Sequence, residues 1–227
     1  MQTANNLKES VFDSRFYHPS TFLISGVSNS GKTSLTKKLL SSKEELFKPE
    51  VPNYVVLIYH TWQDVYKEML DQGLVQLCLN EIPDSQTLME LGNDHKKTGG
   101  LILILDDQLN NLKSDVVDIF CVHSHHQKMT VILLVQTLFM PCKEFRTISL
   151  NSHYIALMKN TRDRSSISQL AKQIFPYKTR FLTDSYIDAT QEPFSHMILD
   201  LRVESPEILR VRANIFDEVV TVYCQVG

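Results

Sequence analysis

The sequence predicts an α/β protein built on a mainly parallel sheet, with helices on both faces and a β-hairpin at the C-terminal end. Three observations carry this. The runs YVVLIY (54–59), LILIL (101–105) and VILLV (131–135) are apolar at every position, the pattern of strands buried on both faces. They are separated by segments of helical spacing, the order of a covered parallel sheet. Beyond about residue 190 the pattern changes to two short runs, 197–201 and 208–211, flanking the turn-like Glu204-Ser205-Pro206. With 227 residues, 43% of them hydrophobic, the chain can bury one sizeable core, and no linker is rich enough to split it. Residues 1–19 read as a polar lead-in, 20–216 as one domain and 217–227 as a tail.

The elements follow in order. Residues 22–24 form a strand, and a glycine-containing turn leads to a helix over 32–40. Residues 54–59 form the next strand. Spacing then predicts a helix over 62–70 and a short strand over 75–79. Gly99-Gly100 introduce the strand 101–105. Ser114 is suited to cap a helix with Asp115 in its first turn. In that helix Val116, Ile119, Phe120 and His123 share one face. Strands over 131–135 and 154–158 complete the parallel set.

Composition excludes some classes. Lys and Arg number 23 against 26 Asp and Glu, a formal net charge of -3, which argues against a protein that coats nucleic acid through overall basicity. Cys78, Cys121, Cys142 and Cys224 form no C-x-x-C pair. Cys78 and Cys121 lie in apolar runs and read as small core residues, consistent with a reducing compartment. The N-terminal segment lacks the basic-then-apolar layout of an export signal, and the longest apolar runs are far shorter than a membrane span. His123, His125 and His126 fall on different faces of their helix and do not read as a metal cluster. Trp62 is assigned to the core, and Lys96-Lys97 to a solvated loop.

The strongest chemical signal is Gly26-Val27-Ser28-Asn29-Ser30-Gly31-Lys32-Thr33, followed by Ser34. It matches G-x-x-x-x-G-K-[ST] and lies between a strand and a helix, as a phosphate-cradling loop must. Backbone N–H groups at the helix N-terminus make a concavity for anions. Lys32 can reach the β- and γ-phosphates of ATP, and the Thr33 hydroxyl can ligate Mg²⁺. Asp106 and Asp107 end LILIL and so stand at the ligand edge of the sheet. Asp106 suits the metal, and Asp107 suits a water attacking the γ-phosphate. Gln136 ends VILLV and lies between Lys32 and Asp106 if its strand does. Arg162 and Arg164 follow the strand 154–158, expected at the rim of the sheet, where a cation could serve a neighbouring subunit's phosphates. Their alternative is a salt-bridged helix start, and Lys128 is the next candidate cation.

No Asn-Lys-x-Asp or Asp-x-x-Gly motif of a GTPase is present. A nucleoside or nucleotide kinase remains an alternative, with Arg162 and Arg164 on a lid. The paired acids with a polar residue ending the next strand point to P-loop ATPases that carry an additional strand between the phosphate loop and the acidic strand.

Within that class the sequence resembles the viral genome-packaging ATPases of the FtsK/HerA superfamily, in particular the poxvirus-type enzymes of Polinton/Maverick elements and adintoviruses. The resemblance covers roughly residues 20–216. It rests on FLISGVSNSGKTSLTKKLL, LILILDDQL, HSHHQKMTVILLVQTLF and RTISLNSHYIALMKNTRDRSSISQLAKQIFP, with DATQEPFSHMILDLR and LRVRANIF. It implies a homo-oligomeric ring that pumps double-stranded DNA into a capsid at a portal vertex, inside the host cell and the assembling virion, with no membrane partner. It also implies Lys32 and Thr33 on phosphate and Mg²⁺, Asp106 on the metal, Asp107 as catalytic acid, Gln136 as sensor, and Arg162 or Arg164 acting in trans. The superfamily commonly has Glu where this chain has Asp107, one methylene shorter. A DNA pump of net charge -3 must confine its basic groups to the pore or rely on the ring to hold DNA.

Overall fold

A computed structural model describes residues 12–108 and 114–224. Parts of the lead-in and tail, Leu109 of the acidic motif, and the residues preceding Ser114 lie outside the described residues. So does the side chain of Asp115, expected in the first turn of the helix that begins at Ser114.

In chain order the elements are β1 (Phe16–Tyr17), β2 (Thr21–Ser25), α1 (Lys32–Ser41), α2 (Lys43–Leu46), β3 (Phe47–Lys48) and β4 (Tyr54–Tyr59). Then come α3 (Asp64–Asp71), β5 (Leu77–Leu79), α4 (Ser85–His95), β6 (Leu101–Asp106), α5 (Ser114–Asp118) and α6 (Ser124–His126). They are followed by β7 (Met129–Val135), α7 (Lys143–Leu150), β8 (Tyr154–Met158), α8 (Ser165–Ile174), α9 (Thr179–Ala189), β9 (His196–Asp200), β10 (Val211–Ala213) and β11 (Thr221–Val222). Nine described strands form one sheet in the order β11-β10-β9-β8-β2-β7-β6-β4-β5. The six from β8 to β5 are parallel, and β9, β10 and β11 continue the sheet antiparallel.

The uniformly apolar strands explain the layering. Along β6, Leu101, Leu103 and Leu105 face one core, while Ile102 and Ile104 face the other. Along β7, Val131, Leu133 and Val135 divide from Ile132 and Leu134 in the same way. Side chains alternate with period two, so a strand with no polar position must be covered twice. Leu35 and Leu39 of α1, with Tyr66 and Met69 of α3, cover one face. Leu88 of α4, Phe145 and Ile148 of α7, Leu170 of α8 and Leu182 of α9 cover the other.

Three expectations need correction. β8 is not a rim strand, because β9 pairs along its outer side from Tyr154↔Asp200 to Met158↔His196. The second strand of the C-terminal hairpin starts only at Val211, since Glu207–Leu209 is a 3-10 turn, and β11 adds a third strand. Between α5 and α6, Ile119–His123 is π-helical. Its wider turn shifts the register, so Val116, Ile119 and Phe120 are buried while His123 is only half-buried. Cys78 and Cys121 are also half-buried and pack at the margins of the two cores.

The lead-in is anchored to the sheet. The Phe16 ring meets Phe22 edge-on at 5.1 Å and Tyr154 at 4.9 Å. Tyr17 N donates to the Tyr154 hydroxyl at 3.0 Å. Beside this cluster, buried Arg212 of β10 pairs with Asp200 of β9 at 3.2 Å, donates to the Ser14 carbonyl, and lies 5.1 Å over the Phe16 ring. One guanidinium thus ties the antiparallel strands to the N-terminal segment. Removing one partner of a buried pair strands the other charge. Arg212→Ala is expected to lower stability by about 3–5 kcal/mol in urea unfolding. The double variant Arg212→Met with Asp200→Asn should lose less.

Candidate functional site

The parallel strands deliver their C-terminal ends to one edge of the sheet, and the chemistry collects there. β7 lies between β2 and β6, with Leu23↔Leu133 on one side and Leu105↔Leu133 on the other. The loop after β2 therefore faces the carboxylates after β6 across the end of β7. This is the additional-strand arrangement expected from the sequence.

The loop Gly26 to Ser34 is shaped by its glycines and by α1. Gly31 has φ 95° and Asn29 φ 61°, both in the left-handed region. Gly26 is needed for close approach, because a Cβ there would stand 2.6 Å from Cβ of Met158. Val27 O accepts from Ser30 N at 3.1 Å to close the turn. Ser30 is buried, and Ser28, Asn29 and Ser34 are exposed around the rim. No side chain caps α1, so its N-terminal N–H groups are open to an anion. Lys32 Nζ donates to the carbonyls of Gly26 at 2.6 Å and Val27 at 3.1 Å. Burial holds its ammonium below the usual lysine value, opposed by the charges of Asp106 and Asp107.

Asp106 is buried, and its Oδ2 accepts from Thr33 Oγ1 at 3.0 Å and from the Tyr66 hydroxyl at 2.8 Å. Gln63 Nε2 donates to that hydroxyl at 2.9 Å. Burial raises the Asp106 carboxyl above the usual carboxylate value, against the two hydroxyl donors and the Lys32 charge, with Asp107 adding to the rise. Such a carboxylate is short of positive charge, which a cation beside Thr33 would supply. Among the described residues no group of three or more His, Cys, Asp or Glu is placed to hold a metal. One carboxylate and one hydroxyl suit Mg²⁺, which keeps waters and takes its remaining ligands from phosphate. The site's donors therefore fit ATP with Mg²⁺.

Asp107 is exposed at φ 56°, a left-handed conformation that turns it away from the strand. Gln136 Nε2 donates to its Oδ1 at 3.3 Å. These residues line a cleft of about 530 Å³ with Lys32, Thr33, Gln63 and Phe194. A larger groove of about 780 Å³, between the segment after β7 and helices α7 and α8, has no acid among its described lining residues.

Arg162 and Arg164 emerge at the same edge after β8 and are exposed. Neither makes an ion pair with a described residue. Their loop is held by other groups: Asn160 Oδ1 accepts from Arg162 N at 2.9 Å and Asp163 N at 3.1 Å. Asp163 accepts from Ser165 Oγ, Ser166 N and Ser166 Oγ at the start of α8. The alternative of a salt-bridged helix start does not hold, because serines satisfy Asp163. Lys128 stands at the opposite end of β7, paired with Glu50 at 2.8 Å, and is removed as a candidate. Lys96 and Lys97 also lie at that opposite end, preceding β6, on the 3-10 turn Lys96–Thr98.

Sequence reasoning missed Tyr66, Gln63 and Phe194. A strand end places Asp106, but only the packing of α3 shows that Tyr66 reaches it. The sequence places Trp62 in the core, yet it is 44% exposed, edge-on to Tyr59 at 5.3 Å and to Tyr66 at 5.8 Å. It lies in the loop between β4 and α3, so Tyr59 and Tyr66 meet its edges without enclosing it.

No family model matches the sequence, and no curated protein matches it. Among solved structures, the fold is shared with the genome packaging NTPase B204 from Sulfolobus turreted icosahedral virus 2. The complex with ATP-gammaS aligns with a TM-score of 0.54 and 14% identity, over 91% of this chain and 97% of that one. The AMPPCP complex gives 0.55 and 13%, over 92% and 98%. The cytoplasmic domain of the Type VII secretion ATPase EccC from Thermomonospora curvata aligns at 0.54 and 15%, over 82% of this chain but 24% of its own. At these identities the likeness is one of fold, and the fold is that of a P-loop NTPase of the additional-strand class.

Tyr66 is buried where a phenylalanine would fit, so Tyr66→Phe removes one donor from Asp106 without a cavity. It is expected to weaken Mg²⁺-dependent nucleotide binding about tenfold. Titration at several Mg²⁺ concentrations, with an unchanged melting temperature, would check it.

Proposed function

We propose that this chain is an ATP-hydrolysing motor that translocates double-stranded DNA into a capsid, a genome-packaging ATPase of the poxvirus-type FtsK/HerA group. The observation that carries the hydrolytic part is the contact between Asp107 and Gln136 at the open edge, beside the phosphate loop. DNA translocation is supported by the sequence resemblance over residues 20–216 and by the shared fold with a protein described as a genome packaging NTPase.

In this reading Lys32 places its charge on the β- and γ-phosphates, and the N–H groups of Gly26 to Ser34 hold their oxygens. Thr33 and Asp106 hold Mg²⁺, which neutralises phosphate charge when bound. Asp107 accepts the proton of the attacking water, and Gln136 aligns that water through its amide. Arg162 or Arg164, exposed and in no ion pair with a described residue, serves the nucleotide of the next subunit in a homo-oligomeric ring. Docking at a capsid or portal vertex, inside the host cell and the assembling virion, completes the proposal. A kinase would use the same loop but needs an acceptor pocket under a lid. Here Arg162 and Arg164 stand in a short loop closed by Asn160 and Asp163.

The test is ATP hydrolysis by the purified protein with and without double-stranded DNA. Stimulation by DNA is expected. Transfer of phosphate to a nucleoside or nucleotide without a DNA effect would establish the kinase instead. Lys32→Ala should abolish turnover, while Asp107→Asn should retain nucleotide and lose about 10²-fold in rate. A trans arginine contributes about 10³- to 10⁵-fold in other P-loop systems. Mixing Lys32→Ala subunits with subunits lacking Arg162 and Arg164 should therefore restore activity. No rescue from confirmed rings would assign those arginines a role within their own subunit.

A further inference from the structure

Phe194 is a bulky residue held at φ 62°, a conformation such side chains rarely adopt, yet the residue is 66% exposed. Burial does not repay that strain. The backbone around it is braced on both sides. Lys159 N donates to Ser195 O at 3.0 Å, Lys159 Nζ donates to Gln191 O, and Ser195 Oγ donates to Glu192 O at 2.6 Å. The braced segment sets the ring against the phosphate loop: a Cβ built on Gly31 would lie 3.3 Å from Phe194 Cδ1. Phe194 is the aromatic side chain among the described residues lining the cleft that holds Lys32 and Asp106.

The sheet order fixes which end of a nucleotide would meet it. Asp106, Asp107 and Gln136 end β6 and β7, on one side of β2. Phe194 lies two residues before β9, on the other side of β2, and the pairing Met158↔His196 brings the start of β9 to the same edge. With its terminal phosphate beside the acids, a nucleotide in this cleft would lead its phosphates and sugar past Gly31 and Ser34 toward Phe194. We infer that Phe194 is the platform on which the base of the bound nucleotide stacks, an assignment that rests on the nucleotide-binding reading above. A ring face offers no hydrogen bonds, so it favours purines by stacking area without separating adenine from guanine.

The experiment compares binding of ATP, GTP, CTP and inorganic tripolyphosphate to the full chain and to Phe194→Ala. Phe194→Ala should weaken ATP and GTP about tenfold, CTP less, and leave tripolyphosphate unchanged. In a Trp62→Phe background, Phe194→Trp should keep ATP affinity, and its fluorescence should respond to ATP but not to tripolyphosphate. Unchanged ATP affinity in Phe194→Ala, with Lys32→Ala losing it, would overturn the platform and leave the nucleotide site standing. Equal weakening of ATP and tripolyphosphate would overturn it too, by showing that Phe194 only supports the loop. If the unaltered chain bound neither ATP nor tripolyphosphate, the nucleotide reading itself would fall.

Discussion

A strand buried on both faces has room for polar chemistry only where it ends. β6 is apolar from Leu101 to Leu105 and β7 from Val131 to Val135, and Asp106, Asp107 and Gln136 stand at their C-terminal ends. Because these strands run parallel to β2, those ends meet the phosphate loop at one edge. Burying a lone carboxylate costs several kcal/mol unless donors meet it, and Thr33 and Tyr66 supply them for Asp106. The core and the site thus impose one requirement on each other. The sheet must be dry enough to fold, and its edge must gather every charge the interior refuses.

The parts of the fold visible in the sequence are those set by local pattern. The strands over 54–59 and 154–158 match β4 and β8, and LILIL and VILLV lie within β6 and β7. Gly31, Lys32 and Thr33 were legible because the motif fixes a loop conformation that few residues can adopt. Tyr66 was not, because its hydroxyl reaches Asp106 across 40 positions of chain, and helical spacing marks it only as a core residue. Phe194 was hidden for the opposite reason. An aromatic in a polar segment carries no period, and only the strand order shows that its loop returns to the phosphate site. The edge position expected for β8 failed because the pairing of β9 with β8 depends on an antiparallel return that apolar runs do not encode.

The lead-in follows the same logic of long-range packing. Its composition is polar, but Phe16 is buried against Phe22, Phe47 and Tyr154. Arg212 adds a charged anchor from β10. The guanidinium fills volume as well as pairing with Asp200, and its plane over the ring is a favourable cation–π placement.

The antiparallel strands that cover β8 also decide what the two borders of the sheet can do. One border is β5, three residues long, and the other is β11, two residues long. Unpaired backbone on so short a border is a poor template for another chain. Copies of this protein therefore have little means of extending one another's sheets, and contacts between them would fall to helices and loops. Such contacts can loosen and re-form without breaking a ladder of backbone hydrogen bonds, which is what the ring motor proposed above would require of its neighbours.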